Sequence, residues 1–333
     1  MAVIRQCGFP TSVVVPYPFS ALGNGAYTTT PIRTGHGNCW DWGTEVIDIT
    51  PDEDDFLVIA YDVKAEENQR DVAFRGDGNT VTHLTLRYEN STDNWKVYRG
   101  TGAGTLLGTS SGTHANLETK FLEFKFTIHD TTGIIQIWLD KVLVLNLTGQ
   151  DTKNGGTDAF IDTIVGISGS YQIDNLQIIN GLGDAPTDRV GPVFVRHSLG
   201  NANGNASQWD GSDGNQTDNY LLFDDPAGTN DGDTTYIETS VASEKDQVGH
   251  PDIAETPVTV VAVDAIHISK DTLAGGNTMR QNTRISAVDY NGSTDTLTAS
   301  YAAYGKVWSV SPATAVAWTR AEYNGSEFGL ESL

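Results

Sequence analysis

The sequence predicts an all-β protein of two domains, and three observations lead to this prediction. No segment keeps a helical period of apolar residues over about a dozen positions, whereas short alternating or continuous apolar runs recur along the chain. Glycine, at 35 residues, joins many Asp, Asn and Thr residues in supplying turns between these runs. The length of 333 residues exceeds that of a typical single domain.

Two kinds of strand are predicted early in the chain. Residues 56–61 form a short, continuous apolar run of the kind that is buried in the middle of a sheet. Leu84, Leu86 and Tyr88 alternate with polar residues, which is typical of a strand with one buried face. Both patterns favour a sheet protein with a substantial apolar core.

The segment 120–149 is the most informative part of the N-terminal half. Leu122, Phe124 and Phe126 share one face of a predicted strand, and two further strands follow after short polar turns. The turns are predicted at residues 130–133 and at Asp140-Lys141. These features predict a three-stranded antiparallel meander.

A domain boundary is predicted between residues 182 and 183, where glycine and proline interrupt the strand pattern. The N-terminal domain then spans 1–182. In the C-terminal domain, 183–333, residues 183–255 are predicted to be a long polar connector and residues 256–333 to carry the strands. Asn291-Gly292 is predicted to be a hairpin turn, because both residues tolerate a positive φ.

Several short segments of the first domain, taken in their order along the chain, resemble those of a known protein family. They are residues 105–110, 121–129, 130–133, 138–140, 144–149, 151–156 and 171–176. In this order they resemble the concanavalin-like (laminin G-like) jelly roll found in many tailed-bacteriophage virion proteins. The sequence departs from that group in two places: Asn175 stands where the second acid of an Ile-Asp-Asp strand is common, and Asp140-Lys141 replaces an Asp-Gly turn.

The second half is similar to the region that follows this jelly roll in the same phage proteins. The matching pieces are residues 200–205 with Trp209, 231–236, 243–246, 312–319 and 324–329. The resemblance therefore covers most of the chain from about Thr105 onward. It implies an N-terminal concanavalin-like jelly-roll sandwich followed by a second, smaller β-sandwich-like domain.

The resemblance also implies a function, namely a non-enzymatic structural component of a tailed bacteriophage particle. Because the jelly roll is a lectin-type scaffold, we expect a tail-fibre or tail-tip adhesin that contacts host-surface glycans. A capsid (head) decoration or head-fibre protein is the alternative. The expected partners are other virion proteins and further copies of the chain in a homo-oligomer, with a trimer around a particle axis. Such a protein would be assembled in the host bacterial cytoplasm and exposed on the surface of the virion.

The net charge limits the kinds of molecule that we expect the protein to bind. Acidic residues number 43 against 20 Lys and Arg, so the formal net charge is −23. This charge repels phosphate backbones and anionic lipid headgroups, so neither nucleic-acid binding nor membrane insertion is expected. Repulsion between copies in an oligomer would have to be offset by salt or by bound cations.

Aromatic residues beside polar ones are the candidates for carbohydrate binding. Sugar sites combine an aromatic ring with amides and carboxylates that bond hydroxyl groups. Trp40 and Trp42 flank Asp41 at alternate positions, and Trp95 with Tyr98 forms a second group near Asp93 and Asn94. A core role for these tryptophans stays open, because two aromatics at i and i+2 on one strand face are also typical of a core.

Aspartates in the polar connector are the candidates for binding calcium, which takes hard oxygen ligands. Asp210, Asp213, Asp231 and Asp233 lie in Asp/Asn/Gly-rich stretches, although no complete calcium loop is present. The alternative is that they stabilise turns through their own backbone. Cys7 and Cys39 form either a disulfide or free thiols, since no metal-ligand spacing surrounds them.

A glycan-cleaving hydrolase on the same scaffold is the alternative from another functional class. Such enzymes need two carboxylates that face one another across the glycosidic bond. Glu123 is the best single candidate, but its neighbours at i+2 and i+4 are Lys125 and Thr127. The sequence therefore gives no catalytic pair, and we expect no enzymatic activity.

Overall fold

A computed structural model describes most of the chain in residue detail. The described residues are 5–7, 27–28, 39–42, 46–48, 56–64, 69–168, 171–179, 188–193, 196, 198–222, 231–256, 258–272 and 276–333. They fall into two compact units, Met1–His197 and Ser198–Leu333. No helix among these residues is long and apolar enough to cross a membrane.

The first unit contains fourteen described strands. They are β1 (Arg5–Cys7), β2 (Tyr27–Thr28), β3 (Cys39–Trp42), β4 (Val46–Asp48), β5 (Phe56–Lys64), β6 (Arg70–Gly76), β7 (Val81–Glu89), β8 (Asn94–Arg99), β9 (Thr105–Thr109), β10 (Thr119–Thr127), β11 (Gly133–Leu139), β12 (Val142–Gln150), β13 (Thr163–Ser168) and β14 (Tyr171–Ile179).

These strands build two antiparallel sheets. The eight-stranded sheet has the order β12-β11-β10-β5-β14-β3-β2, with β1 also paired to β14. The six-stranded sheet has the order β4-β13-β6-β7-β8-β9. Neighbours that are distant in sequence, such as β5 and β14, show that long connections cross between strands, as in Greek-key sandwiches.

The two sheets face each other across one apolar core. Phe74 on β6 of the six-stranded sheet lies 5.2 Å from Phe124 and 4.8 Å from Phe126 on β10 of the other sheet, measured between ring centroids. All three rings are fully buried. Each strand contributes alternate residues to this core, because successive side chains of a strand point to opposite faces. The predicted all-β sandwich is therefore confirmed for this unit.

The predicted meander is confirmed in detail. β10, β11 and β12 pair as antiparallel neighbours. The turn between β11 and β12 is Asp140-Lys141, whose φ angles of 48° and 72° are both positive. Two consecutive positive φ values match the right-handed twist of the flanking strands, which explains why a two-residue turn suffices here.

The second unit has nine strands and one short α-helix among its described residues. They are β15 (Ala202–Ser207), β16 (Asp210–Gly211), β17 (Ile237–Glu238), β18 (Lys245–Gly249), β19 (Val263–Ser269), β20 (Thr278–Ile285), β21 (Val288–Thr296), β22 (Ala302–Trp308), α1 (Arg320–Asn324) and β23 (Ser326–Ser332), with a 3-10 turn at Asn219–Leu221.

A five-stranded sheet with the order β15-β18-β23-β20-β21 is the centre of this unit. The two-stranded ribbon β19-β22 contributes Trp308 to a small core that also holds Ile285 and Trp318. The Trp318 indole donates a hydrogen bond of 2.8 Å to the carbonyl oxygen of Trp308, which satisfies the one polar atom of that buried ring.

Two details of the second unit differ from the sequence-based expectations. Residues 183–255 were predicted to be a connector, but β15 and β18 within them belong to the five-stranded sheet. Asn291-Gly292 is not a hairpin turn, and that prediction is wrong. The turn lies at Ser286-Ala287, with φ of 50° and 66°, and Asn291-Gly292 continues β21.

The division between the units falls between His197 and Ser198, later in the chain than the predicted boundary. Residues 188–191 are attached to the first sandwich through polar contacts. Arg189 and the backbone of Gly191 both donate hydrogen bonds to Glu123 on β10. Side-chain contacts of this kind leave no pattern in the sequence.

Candidate functional site

The outer face of the six-stranded sheet carries the most suggestive group of polar and aromatic side chains. Val72, Leu86 and Val97 point into the core, so the residues that alternate with them point outward. The strand register places Asp71 opposite Arg87, and Arg87 opposite Lys96. One row of charged side chains therefore crosses β6, β7 and β8.

Arg87 is the centre of this row. Its Nε and Nη2 donate to the two carboxylate oxygens of Asp71 at 2.7 and 2.6 Å, a bidentate pair. Its guanidinium carbon lies 5.0 Å from the centroid of the Tyr98 ring, within the range of a cation–π contact. Among the described residues, nothing accepts a hydrogen bond from Nη1 of Arg87. The group is thus fixed in place and keeps one free donor nitrogen.

A second ion pair extends the charged row. Lys96 Nζ lies 2.7 Å from Glu89 Oε2, and each side chain is 21 % exposed. The hydrogen bond from Lys96 outweighs the effect of partial burial and lowers the pKa of Glu89. We call Asp71, Arg87, Glu89, Lys96 and Tyr98 together the Arg87 face. It offers donors, acceptors and an aromatic ring on three adjacent strands.

The turn between β8 and β9 closes one end of the Arg87 face. The hydroxyl of Thr85 donates to the carbonyl oxygen of Gly100 at 2.7 Å, which holds the turn against the sheet. A Cβ atom at Gly102 would lie 1.8 Å from Arg87 Nη2 and 2.6 Å from Asp71 Oδ2. Only glycine allows the backbone to pass this close to the ion pair.

Trp95 and Tyr98 were predicted together, but the structure separates them. Tyr98 is half-buried and belongs to the Arg87 face. Trp95 is 2 % exposed and packs against Tyr88 at 5.4 Å in the core. Trp95 is therefore a core residue that no sugar can reach, because an odd separation along a strand puts the two rings on opposite faces.

The other predicted tryptophans lie on β3. Trp40 pairs with Ile173 and Trp42 with Tyr171 in the strand register, so both are placed on the same face of the eight-stranded sheet. Their side chains lie outside the described part of the structure, as do those of Cys7 and Cys39. Sugar stacking by Trp40 and Trp42 stays a prediction.

The four predicted calcium ligands each have partners within the protein. Asp210 accepts from Gln216, Asp213 from Asn215, Asp231 from Thr235, and Asp233 forms an ion pair with Lys270. In the part of the chain that the structure describes, no three His, Cys, Asp or Glu side chains are arranged so that they could hold a metal ion. The aspartates thus serve as turn and pairing residues here, and calcium binding stays a prediction.

Glu123, the acidic residue considered for catalysis, is fully buried. Its Oε2 accepts a hydrogen bond of 2.8 Å from Arg189, and its Oε1 accepts one of 3.0 Å from the backbone of Gly191. Arg189 also stacks on Trp138, with 3.9 Å between the guanidinium carbon and the ring centroid. In this arrangement Glu123 attaches residues 188–191 to the sheet.

The sequence pointed to Tyr98 but missed its charged neighbours. The alternation in β7 placed Arg87 on the face opposite Leu84 and Leu86, which was the available signal. Nothing local indicated that Asp71 would lie opposite Arg87, because strand register is a property of the folded sheet.

Comparison with known proteins finds similar chains among solved structures. Neither a protein-family model nor a curated protein sequence matches the chain. Among solved structures it is similar to the carbohydrate-binding module CBM66 from Bacillus subtilis, at 13 % identity and a TM-score of 0.33, over 47 % of this chain and 92 % of the module. It is also similar to a tetrameric galectin from the ball sponge Cinachyrella sp., at 10 % identity and a TM-score of 0.30, over 40 % of this chain and 98 % of the galectin.

A third similar structure is a variant of alginate lyase Aly36B in complex with an alginate tetrasaccharide. It shares 14 % identity and a TM-score of 0.29, over 43 % of this chain and 74 % of the lyase. All three scores are low, so no residue role is transferred from these proteins to this chain.

Proposed function

We propose that the protein is a non-enzymatic glycan-binding protein whose Arg87 face contacts the sugar. The observation that carries this proposal is the pairing of Arg87 with Asp71 and Tyr98 in one row of a rigid sheet. Sites built on strands hold their groups more precisely than sites on loops. A half-buried ring beside fixed donors and acceptors suits a ligand that has both apolar ring faces and hydroxyl groups.

The chemistry of each group fits this role. The accessible part of Tyr98 offers a surface for the C–H face of a sugar ring, and the free Nη1 of Arg87 offers a donor for a hydroxyl or ring oxygen. Lys96 and Glu89 extend the same surface with one more donor and one more acceptor. Because the charges of the Arg87 face are paired, the face suits an uncharged polyol better than an ion.

The wider role that we propose is attachment of a tailed bacteriophage to host-surface glycans, as a tail-fibre or tail-tip protein. This part rests on the family resemblance of the segments from Thr105 onward. Gold-labelled antibodies on intact particles test it, with label expected on the tail. Label on the head would replace the adhesin with a head decoration protein, and absence of label would remove the virion assignment.

Glycan-array binding of the full chain tests the Arg87 face. We expect Tyr98→Ala to weaken binding about tenfold or more, because it removes the aromatic surface. Arg87→Lys keeps a charge beside Asp71 but loses the planar fork and its free nitrogen, so it should also weaken binding. Tyr98→Phe keeps the ring and should bind nearly as the native chain does.

Tyr236→Ala, which changes a half-buried tyrosine of the second unit, is the matched control and should leave this binding unchanged. Equal binding by the Tyr98→Ala and native chains would refute the site. Incubation with the bound polysaccharide tests the absence of catalysis, since release of reducing sugar would replace the adhesin with a hydrolase.

A further inference from the structure

The five-stranded sheet of the second unit has one apolar and one polar face. Ile285 on β20 and Phe328 on β23 join the small core on one side. The residues that alternate with them point to the other side. The polar face comprises Lys245, Gln247, Arg280, Asn282, Arg284, Asp289, Asn291, Glu327, Gly329 and Glu331.

Three amide side chains form a continuous row across this polar face. Gln247 Nε2 on β18 donates to Asn282 Oδ1 on β20, and Asn282 Nδ2 donates to Asn291 Oδ1 on β21 at 3.0 Å. We call these three side chains the amide row. They connect strands that are not all neighbours, since β23 lies between β18 and β20.

Gly329 makes this connection possible. The register places Gly329 directly between Gln247 and Asn282. A Cβ atom there would lie 2.0 Å from the backbone oxygen of Asp246, so no other residue fits without a shift of the strand. Because β23 has no side chain at this point, the Gln247 amide reaches across it.

The amide row contains a buried acceptor that has no donor. Gln247 is fully buried, and its Nε2 donates to Asn282 and also to Asp289 at 3.3 Å. These two acceptors fix which end of the amide is nitrogen. Its Oε1 is buried and accepts no hydrogen bond from the described residues. A buried polar atom in this state costs free energy that an incoming donor would recover.

Ion pairs surround the amide row and cancel one another. Lys245 and Arg284 each lie 2.7 Å from a carboxylate oxygen of Asp289, and Arg280 pairs with Glu331 at 2.9 Å. The three cations are 20–28 % exposed at their side chains, so they border the row and remain reachable. With Glu327, three carboxylates balance the three cations.

We propose that the amide row is a second ligand site, which takes a neutral polyhydroxylated molecule, namely a saccharide. The exposed Asn291 and the bordering charged groups bond hydroxyls of the sugar, and one further hydroxyl donates to Gln247 Oε1 once the groups that cover this atom move aside. An ionic ligand finds no unbalanced charge here, and the net charge of −23 repels anionic sugars. This site is separate from the Arg87 face and does not depend on it.

Saturation-transfer NMR on the full chain tests the proposal. The chain carries Tyr98→Ala, which weakens binding at the Arg87 face. The probes are maltose, cellobiose and lactose, with glucuronic acid as the charged counterpart. We expect at least one neutral disaccharide to bind with a Kd on the order of 1 mM, and glucuronic acid to bind more weakly.

Gln247→Leu removes the acceptor at nearly constant volume and should weaken this binding about tenfold. Gln281→Leu is the matched control. Gln281 on β20 is buried as Gln247 is, but its amide donates to Asp295 on the opposite face of the sheet. It should leave the binding unchanged. Asn291→Ala changes an exposed member of the row and keeps the test valid if Gln247→Leu fails to fold.

Three results would overturn the proposal. The first is the absence of any signal from the neutral disaccharides, which would mean that water alone satisfies Gln247. The second is a preference for glucuronic acid. The third is binding that Gln247→Leu or Asn291→Ala leaves intact. None of these results bears on the Arg87 face, which the native chain tests separately.

Discussion

The two units are both β proteins, but different forces stabilise them. The first unit buries a large apolar core between two sheets, with Phe74, Phe124 and Phe126 at its centre. In the second unit, the apolar cluster has four buried members among the described residues, and buried amides and carboxylates fill much of the remaining sheet. Apolar burial is non-directional, whereas a polar network needs every partner in place. The second unit should therefore be the more sensitive to single changes and to pH.

Two buried carboxylates show this difference on a small scale. Glu123 in the first unit is paired with Arg189, so its charge is compensated. Asp246 in the second unit is 2 % exposed, and the partners of its Oδ2 are the neutral Asn219 side chain at 2.6 Å and the Trp209 backbone at 3.4 Å. Burial raises the pKa of Asp246 to about 6 in spite of these hydrogen bonds.

Truncation of a core ring should have the largest effect. Trp318→Ala removes the most deeply buried ring of the small core and should cost about 3–5 kcal/mol, a large share of the stability of a domain. Phe124→Ala should cost a similar amount in the first unit but leave it folded, since the larger core remains. Calorimetry of the full chain measures both. An unchanged second transition in Trp318→Ala would contradict the comparison.

Titration of Asp246 should have the next largest effect. Its carboxyl pKa is raised on folding, so the native state holds the proton more tightly than the unfolded chain does. The resulting stability is complete below about pH 4 and is lost as pH rises through about 6, to a total of about 3 kcal/mol. Burial lowers the pKa of His267 in the same unit to about 4, and this changes stability in the opposite direction over the same range. Urea unfolding of the native chain and of Asp246→Asn, both between pH 4 and pH 7.5, therefore isolates the loss through the difference between the two chains.

Asp246→Asn is the control for this titration. It cannot ionise, so its stability relative to that of the native chain should rise by about 3 kcal/mol between pH 4 and pH 7.5, and it should exceed the native chain in stability at pH 7.5. Glu123→Gln in the first unit should do the opposite and lower stability, because it removes the charge that Arg189 faces. A difference between the two chains that is the same at pH 4 and pH 7.5 would show that Asp246 is ionised without cost.

The smallest effect is expected at a helix cap. Thr319 accepts a hydrogen bond from the backbone of Glu322, and the Glu322 side chain accepts one from the backbone of Thr319, which is a complete capping box for α1. Thr319→Ala should cost about 1 kcal/mol. In the unit with the smaller core, this change should still lower the melting temperature measurably. A shift below the error of calorimetry would indicate that α1 contributes little to the fold.

The sequence could predict apolar alternation but not strand register. The alternation of Leu122, Phe124 and Phe126 predicted β10, and the sequence also predicted the turn after β11 at Asp140-Lys141. The same alternation could have shown that Trp95 and Tyr98 face opposite ways. The pairs that build the Arg87 face and the amide row could not be predicted, because they join strands that only the folded sheet places side by side.

Asn291-Gly292 misled the prediction for a physical reason. Within β21, Asn291 accepts a hydrogen bond from Asn282. A Cβ atom at Gly292 would lie 3.2 Å from atoms of Gln281 and Lys306, so glycine at this position leaves room for both neighbours. Both residue types therefore serve contacts within the sheet. A local preference for a turn does not decide the structure when the same residues make contacts with neighbouring strands.

The contacts of residues 188–191 decide which side of the first sandwich another molecule can approach. Asp188 pairs with Lys125, Arg189 covers the ring of Trp138, and Gly191 is bonded to Glu123, all on the outer surface of the eight-stranded sheet. At these strands residues 188–191 of the same chain already cover the sheet. The glycan that we propose as ligand would therefore approach the outer face of the other sheet, along β6, β7 and β8 past Arg87.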